Sequence, residues 1–282
     1  MKLARFTRDG KTAIGKVDGD RIVDLSAVTK GCDSMRRFLT DLPALKGEAE
    51  AVSEPAYPLA SVHIEAPIDD PQKFLGIGMN YQAHADEAAK AGIPIPKTQL
   101  WFNKQVSCIA GPTDKVVLPS VSDQLDYEGE LAYVIGTRCR QVKREDALSV
   151  IAGYLVCNDF SVRDWQHRSP TYTLGKSFDT HGVIGPWITT ADDVANAQNL
   201  RLRLFVNGKE KQSSLTDDLI YKIEDQIAHL STVMTLEPGD LITTGTPAGV
   251  AAVDQSWLKP GDVVRVEIDG LGAIENTIVA EV

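Results

Sequence analysis

Alternating and continuous apolar positions along the chain predict more strands than helices. Near the N-terminus, short apolar runs are separated by the turn residues Asp9-Gly10 and Asp18-Gly19, which is typical of a small meander. Apolar runs of strand length recur from residue 74 onward. We predict strands at Leu3 to Phe6, Ala13 to Val17, Arg21 to Leu25, Glu130 to Ile135, Ile151 to Cys157, Leu202 to Val206, Leu241 to Thr244, Val263 to Ile268 and Ala273 to Val279.

Helical periodicity is found in few segments. It predicts helices at Ser34 to Leu45, Tyr81 to Ala91, Arg144 to Val150 and Ile223 to Met234. The proline-containing segment Ser53 to Pro71 is typical of a linker. We therefore predict a small N-terminal α+β domain over residues 1–65 and a larger, β-rich domain over residues 66–282. Strict β-α-β alternation is missing, so we expect an α+β fold, mainly β, with a mixed and mostly antiparallel sheet.

Composition and charge narrow the range of partners. The 282 residues are 43% hydrophobic and 24% charged, as in an ordinary globular protein. A formal net charge of -10 disfavours binding to nucleic acid or to an anionic membrane, because both attract clustered Lys and Arg. The N-terminus lacks the apolar core of a signal peptide, and the four cysteines form no CxxC pair. We expect a cytoplasmic protein with reduced thiols.

Three carboxylates stand at the ends of two apolar strands. Glu128 and Glu130 are two residues apart, so in a strand they point to the same face. Asp159 ends the next apolar run, from which a neighbouring strand could deliver it to the same place. Three carboxylates without His or Cys form a hard oxygen site that suits Mg²⁺ or Mn²⁺. The alternative is a solvated strand face with Asp159 in a turn.

Further polar residues surround these carboxylates in sequence. Arg163, Gln166 and Lys176 follow Asp159 and could bind the carboxylate of an anionic substrate. Taken singly, Arg163 and Lys176 are more typical of surface ion-pair partners.

A histidine and a glutamate lie on one face of a predicted helix. His84 and Glu87 are three residues apart, so Glu87 could orient the imidazole as a general base that activates water. The alternative is an exposed helical histidine beside an acid.

From about Lys73 to its end, the chain resembles the fumarylacetoacetate hydrolase superfamily. The resemblance is carried by segments that occur in the family's order: Gly78-Met79-Asn80-Tyr81 with His84 and Glu87, Trp101-Phe102-Asn103-Lys104, Asp126-Tyr127-Glu128-Gly129-Glu130-Leu131, Asn158-Asp159 with Ser161, Arg163, Asp164 and Gln166, Gly175-Lys176-Ser177-Phe178-Asp179, and Leu236-Glu237-Pro238-Gly239-Asp240 leading into Thr244-Gly245-Thr246-Pro247.

The resemblance implies a catalytic β-roll domain, assembled as a homodimer or higher homo-oligomer. It implies Mg²⁺ or Mn²⁺ at the positions that match Glu128, Glu130 and Asp159, and a lid helix that carries His84 and Glu87. It also implies that further side chains line the pocket: Lys176 as a stabiliser of the oxyanion, and Arg163, Gln166, Thr246 and Lys104 as substrate-binding residues.

The implied activity is hydrolysis of a carbon–carbon bond in a 2,4-diketo acid, which yields pyruvate and a carboxylic acid. The overall pattern is similar to bacterial members that act on sugar-derived acids, and we favour 2,4-diketo-3-deoxy-L-rhamnonate as the substrate. Fumarylpyruvate or another acylpyruvate is the next candidate. Oxaloacetate decarboxylation and keto-acid isomerisation could use the same site. An alternative of another class is a non-catalytic, metal-containing protein that binds small molecules.

Overall fold

The computed structural model describes residues 1–90 and 92–281 and consists mainly of strands. In chain order the strands are β1 (Lys2–Arg8), β2 (Lys11–Asp18), β3 (Arg21–Asp24), β4 (Ala56–Pro58), β5 (His63–Ile64), β6 (Phe74–Gly78), β7 (Leu100–Lys104), β8 (Ile109–Ala110), β9 (Val116–Leu118), β10 (Leu125–Asp126), β11 (Gly129–Ile135), β12 (Ile151–Asp159), β13 (Ser161–Val162), β14 (Gly182–Thr190), β15 (Arg201–Val206), β16 (Lys209–Leu215), β17 (Leu241–Thr243), β18 (Val263–Ile268) and β19 (Gly272–Ala280).

Helices are fewer than strands, and most of them are short. The α-helices are α1 (Ser26–Thr29), α2 (Met35–Ala51), α3 (Gln82–Lys90), α4 (Arg163–Gln166) and α5 (Ile223–Val233). Short 3₁₀ helices span Leu59–Ser61, Val106–Cys108, Arg144–Val150, Ala191–Asp193, Thr216–Asp218 and Ala251–Val253. Within residues 1–90 and 92–281, no helix combines the length and apolar composition that a membrane crossing requires.

Two large sheets form the framework. A 12-stranded sheet has the order β4-β3-β2-β1-β14-β12-β11-β17-β6-β7, with β5 and β8 attached to β1 and β14, and a five-stranded sheet has the order β16-β15-β18-β19-β9. Most neighbours are antiparallel, while β17 with β6, β14 with β8 and β19 with β9 run parallel. The predicted α+β, mainly β fold is confirmed.

Strands β11 and β12 lie in the middle of the large sheet and are buried on both faces. Leu131 and Tyr133 pack into the core that also contains Leu204 and Val266 of the five-stranded sheet. The alternate residues Ala132 and Val134 pack into a second core, which also contains residues of α2. This explains why β11 has a continuous apolar run rather than an apolar and polar alternation.

The N-terminal strands continue the large sheet. Strand β1 pairs with β14, with Leu3 opposite Ile188. The predicted linker from Ser53 to Pro71 is wrong in part, because it contains β4 and β5, which pair with β3 and β1. Strands of two or three residues are fixed by their neighbours and have no periodicity of their own. The division into residues 1–65 and 66–282 stays a prediction.

Some helical boundaries also differ from the predictions. The helix predicted to end at Leu45 extends to Ala51 and contains Pro43 in its interior. Ser34 is its N-cap. The helix predicted at Arg144 to Val150 is a 3₁₀ helix. Helix α3 is described from Gln82 to Lys90, and the predicted last residue, Ala91, lies outside the described residues. The pattern missed β6, β14 and β16, which contain glycines, a proline or mainly polar residues. It also missed the five-residue strand β7.

Candidate active site and metal centre

The register between β11 and β12 brings three carboxylates together. Gly129 pairs with Asn158 and Glu130 with Cys157, and the Asp159 amide donates to the Glu128 carbonyl at 2.9 Å. Glu128 is therefore opposite Asp159, and residues opposite each other in a sheet project to the same face. One oxygen from each of Glu128, Glu130 and Asp159 lies within 4.8 Å of the other two.

These carboxylates are buried, which excludes the alternative of a solvated strand face. Glu128, Glu130 and Asp159 are 6%, 1% and 0% exposed. Burial acts to raise the pKa of Glu128, but the Lys176 and Arg163 cations outweigh it and lower that pKa to about 2. Burial, together with the neighbouring Asp159 and Glu128, holds the pKa of Glu130 well above its usual range. Glu130 therefore lacks compensation by positive charge.

Three cations surround the carboxylates. Lys176 Nζ donates to Glu128 Oε2 at 2.5 Å and to Asp159 Oδ2 at 2.8 Å. The Arg163 guanidinium lies 2.7 Å from Glu128 Oε1 and donates to Asp126 Oδ2 at 2.8 Å. Lys176 and Arg163 are buried, so they are not surface ion-pair partners. The third cation is Lys104.

The charge balance of this buried layer fits a divalent cation. With Asp159 also paired to Lys104, four carboxylates, including Asp126, meet three cations. With all four carboxylates ionised the layer is one positive charge short, which is why the pKa of Glu130 is raised when no metal is bound. Glu128, Glu130 and Asp159 offer carboxylate oxygens, the ligands that Mg²⁺ and Mn²⁺ prefer. Addition of a divalent ion would reverse the net charge of the layer to positive, which suits an anionic substrate.

Lys104, predicted as a substrate-binding residue, lies outside the cavity that the other predicted substrate-binding residues line. Its ammonium donates to Asp159 Oδ1 at 2.5 Å and also to the Lys176 carbonyl. Its side chain is fully buried. The structure thus brings Lys104 to the metal centre as a support for Asp159 and for the backbone of Lys176.

We expect Lys104→Met to unfold more easily than the wild type, because it leaves the Asp159 carboxylate with one buried cation fewer. Breaking a buried ion pair costs about 3–5 kcal/mol, measurable as a loss of unfolding free energy in urea. Lys115→Met, at an exposed position, is the matched control. A substrate-binding role would instead predict unchanged stability and a raised KM.

A cavity of about 250 Å³ opens above the carboxylates and has two chemically different sides. The polar floor consists of Glu128, Glu130, Arg163, Gln166, Lys176 and Thr246. The outer wall consists of Met79, Ile93, Leu100, Phe102, Tyr172, Val250 and Val253. The volume is at the small end for ligand cavities and suits a small acid.

His84 and Glu87 line the same cavity from helix α3. His84 Nδ1 lies 3.5 Å from Glu87 Oε2, which also accepts from the Gly249 amide at 3.3 Å. Both side chains are more than two-thirds buried, so His84 is not an exposed helical histidine. Burial lowers the pKa of His84, which keeps the imidazole neutral at pH 7. Because Nδ1 faces Glu87, Nε2 is the nitrogen that can accept a proton.

Thr246 and Gln166 are held by neighbouring polar groups. Thr246 Oγ1 donates to the Gly129 carbonyl at 3.0 Å and accepts from Gln212 Nε2 at 2.9 Å. Gln166 Oε1 accepts from Arg163 at 2.8 Å. All predicted site residues except Lys104 and Asp159 therefore line this one cavity, and both of these lie buried behind its floor.

Sequence reasoning missed Gln212, which supports the floor from the second sheet. Its Oε1 accepts from the Gly129 amide at 2.9 Å, which fixes the residue between Glu128 and Glu130. Asp126, which pairs with Arg163 and accepts from the amides of Ala251 and Ala252, was not assigned a role either. Gln212 lies in the polar strand β16 and gives no sequence signal, whereas Asp126 stands two residues before Glu128.

The chain belongs to the fumarylacetoacetate hydrolase family, since residues 73–279 match the family described as "Fumarylacetoacetate (FAA) hydrolase C-terminal". Residues 1–67 match the family described as "Rv2993c-like, N-terminal". Membership makes the chain an enzyme of the hydrolase class, as predicted.

Several relatives match over nearly the whole chain. The mitochondrial oxaloacetate tautomerase of Xenopus laevis is 41% identical over 270 residues, covering 93% of this chain and 84% of the relative. The maleylpyruvate hydrolase of Sphingobium sp. SYK-6, solved in complex with manganese(II) and pyruvate, is 36% identical with a TM-score of 0.85, and coverage of both chains is 100%. The fumarylacetoacetate hydrolase of Exiguobacterium antarcticum is 33% identical with a TM-score of 0.87, again with 100% coverage of both.

The manganese in the Sphingobium structure agrees with the divalent cofactor, Mg²⁺ or Mn²⁺, that the sequence predicted and that the donor set fits. The homo-oligomer and the cytoplasmic location stay predictions.

Proposed function

We propose that this protein hydrolyses the C3–C4 bond of a 2,4-diketo acid of the acylpyruvate type, releasing pyruvate and a carboxylic acid. One observation carries the proposal: a histidine oriented by a carboxylate lines the same small cavity as Glu128 and Glu130, two members of a buried triad of carboxylates. The triad provides the hard ligands for a divalent cation, and the histidine provides a base for water.

Glu128, Glu130 and Asp159 would hold the Mg²⁺ or Mn²⁺ ion. When bound, this ion would polarise the 2-oxo acid end of the substrate and offset the negative charge that develops there. Arg163 and Lys176 add positive charge around the same end, although both are already paired with carboxylates. Thr246 also lies at the floor, but its one hydroxyl proton is donated to the Gly129 carbonyl, so it would hydrogen-bond a substrate carboxylate only by giving up that bond.

His84 would act as the base that activates the water nucleophile. Its Nε2 takes a proton from water while Glu87, at Nδ1, holds the ring and stabilises the imidazolium. The water oxygen bonds to C4, and the C4 oxygen becomes an oxyanion that the Lys176 ammonium can stabilise. The C3–C4 bond then breaks, its electron pair stays with the pyruvate fragment, and C3 takes back the proton from His84.

The test is pyruvate release from a panel of 2,4-diketo acids, with Mn²⁺ and with EDTA. We expect turnover with Mn²⁺ that EDTA abolishes. The panel includes 2,4-diketo-3-deoxy-L-rhamnonate, the substrate that the sequence favours, and maleylpyruvate and fumarylpyruvate, which the Sphingobium relative and the sequence alternatives support. Failure to release pyruvate from any of them, with Mn²⁺ bound, would overturn the proposal.

A second candidate activity is the tautomerisation of oxaloacetate, which the 41% identity to the Xenopus enzyme supports. Tautomerisation moves a proton at C3 and needs no water nucleophile. The pair formed by His84 and Glu87 could move that proton as well as activate water, so it serves either reaction. Interconversion of enol and keto oxaloacetate, followed by ultraviolet absorbance, distinguishes the two activities in the same preparation.

A further inference from the structure

The outer wall of the cavity carries a chemical signature that the polar floor does not explain. Its members, Met79, Ile93, Leu100, Phe102, Tyr172, Val250 and Val253, come from four separate parts of the chain. Ile93 and Val253 are large apolar side chains, yet they are 48% and 58% exposed at the mouth of the cavity. Such residues are not core, and a ligand that covers them gains from the burial of apolar surface.

Phe102 marks the boundary between wall and floor. The Lys176 ammonium lies 5.0 Å from the centre of its ring, and the Tyr172 ring stands edge-on at 6.2 Å. The ring lies directly over Gly76, where a Cβ would come within 2.4 Å of it, so its position is fixed by the sheet. A substrate whose 2-oxo acid end reaches Lys176 must therefore extend its other end along an apolar surface.

The charged residues that line the cavity also bear on the kind of acyl group that it can bind. Of the lining residues in the described parts of the chain, the permanently cationic ones are Arg163 and Lys176, and both are paired with carboxylates of the floor. His167 stands at the rim and is exposed to solvent. A second carboxylate on the substrate would lose hydration on binding and would find no unpaired cation on the wall. Such desolvation of an unpaired charge costs binding free energy.

The wall also offers few hydrogen-bond partners for hydroxyl groups of a substrate. Among the wall residues that the structure describes, Tyr172 offers the one hydroxyl. Tyr172 also adopts a left-handed backbone conformation with φ of 60°, which is uncommon for a tyrosine. Conformational strain of this kind is retained where the surrounding structure requires the side chain in one place.

We infer that the acyl group of the substrate is uncharged and mainly apolar, and that Leu100, Phe102, Tyr172, Val250 and Val253 select it. This inference rests on the proposed function and specifies the substrate class for that site. It ranks alkanoylpyruvates above acylpyruvates that end in a carboxylate. The sugar-derived candidate, whose acyl group is uncharged but carries a hydroxyl, falls between them.

The experiment compares kcat/KM for matched pairs with Mn²⁺ present. Butanoylpyruvate and succinylpyruvate have acyl groups of equal carbon number and differ in the terminal carboxylate. We expect butanoylpyruvate to be favoured at least roughly 100-fold. Propanoylpyruvate and 2,4-diketo-3-deoxy-L-rhamnonate differ by one hydroxyl, and we expect a smaller preference for propanoylpyruvate.

A charged variant at the mouth tests the wall itself. Val253→Lys should narrow the preference for butanoylpyruvate over succinylpyruvate by roughly fivefold, the effect of a half-exposed ion pair. Val253 is exposed, so the substitution leaves the core intact. Val233→Lys is the matched control, because Val233 is 66% exposed on α5 and lies outside the cavity lining. It should leave kcat/KM for butanoylpyruvate and for succinylpyruvate unchanged.

The outcomes separate this inference from the proposed function. If succinylpyruvate is cleaved as well as or better than butanoylpyruvate, the inference falls while acylpyruvate hydrolysis stands. The inference also falls if Val253→Lys and Val233→Lys give the same preference as the wild type. If no acylpyruvate is cleaved, the proposed function falls and the inference with it.

Discussion

Replacing His84 with alanine should reduce acylpyruvate hydrolysis by roughly 100- to 10,000-fold, the usual contribution of a positioned general base. The reason is geometric: His84 faces the cavity, and Glu87 holds its Nδ1 at 3.5 Å, so the loss removes the group that takes the proton from water. The fall should be in kcat, with KM for the substrate little changed, because the floor that binds the 2-oxo acid is intact. Steady-state kinetics of pyruvate release measure both.

His229→Ala is the matched control, since His229 is an exposed histidine on helix α5 outside the cavity lining. Mn²⁺ affinity of His84→Ala, measured by calorimetry, should equal that of the wild type. Any decarboxylation of oxaloacetate should survive in His84→Ala, because that reaction needs no water nucleophile. Equal loss of hydrolysis and of oxaloacetate decarboxylation would contradict a role limited to water activation.

Glu130→Gln should have opposite effects on the metal-free and metal-loaded protein. In EDTA the variant should be more stable than the wild type, because burial and the neighbouring carboxylates disfavour the charged form of Glu130 and hold its pKa well above its usual range. The Gly245 amide, which donates to Glu130 Oε2 at 2.9 Å, can donate equally to an amide oxygen. With Mn²⁺ the order should reverse, because one ligand is lost.

Thermal unfolding measures both effects. Wild-type protein should gain about 2.7 kcal/mol of stability when Mn²⁺ is present at 100 times its Kd, and Glu130→Gln should gain much less and lose hydrolysis. Glu210→Gln, at an exposed position on β16, removes the same charge from the surface and should behave as the wild type. A Glu130→Gln variant that is less stable than the wild type in EDTA, yet binds Mn²⁺ normally, would remove Glu130 from the ligand set.

Local spacing placed pairs of candidate residues on common faces, and the family resemblance gave them their predicted roles. Glu128 and Glu130 share a face because strands have a period of two, and their neighbours make up an apolar strand that must be buried. His84 and Glu87 share a face because a helix has 3.6 residues in each turn. These relations hold within one element, so they can be read before the elements are assembled.

Lys104 shows where local reasoning stopped. The residue follows an apolar run and occupies a position shared with the family, which suggested contact with substrate. In the folded protein its ammonium points beneath the centre to Asp159 and the Lys176 carbonyl. Lys104 shares a strand face with Leu100 and Phe102, which line the cavity, so its position along the strand, beside Asp159, and not the side it faces, removed it from the lining.

The sequence by itself therefore determined the mainly β architecture, the shared face of Glu128 and Glu130, and the histidine–glutamate pair, because each arises from short-range periodicity. Only the tertiary structure decided that β11 and β12 align Glu128 with Asp159, that Gln212 supports Gly129 from the second sheet, and that the cavity has an apolar wall. Register and sheet packing depend on contacts between residues distant in the chain, whose free energy no local pattern records.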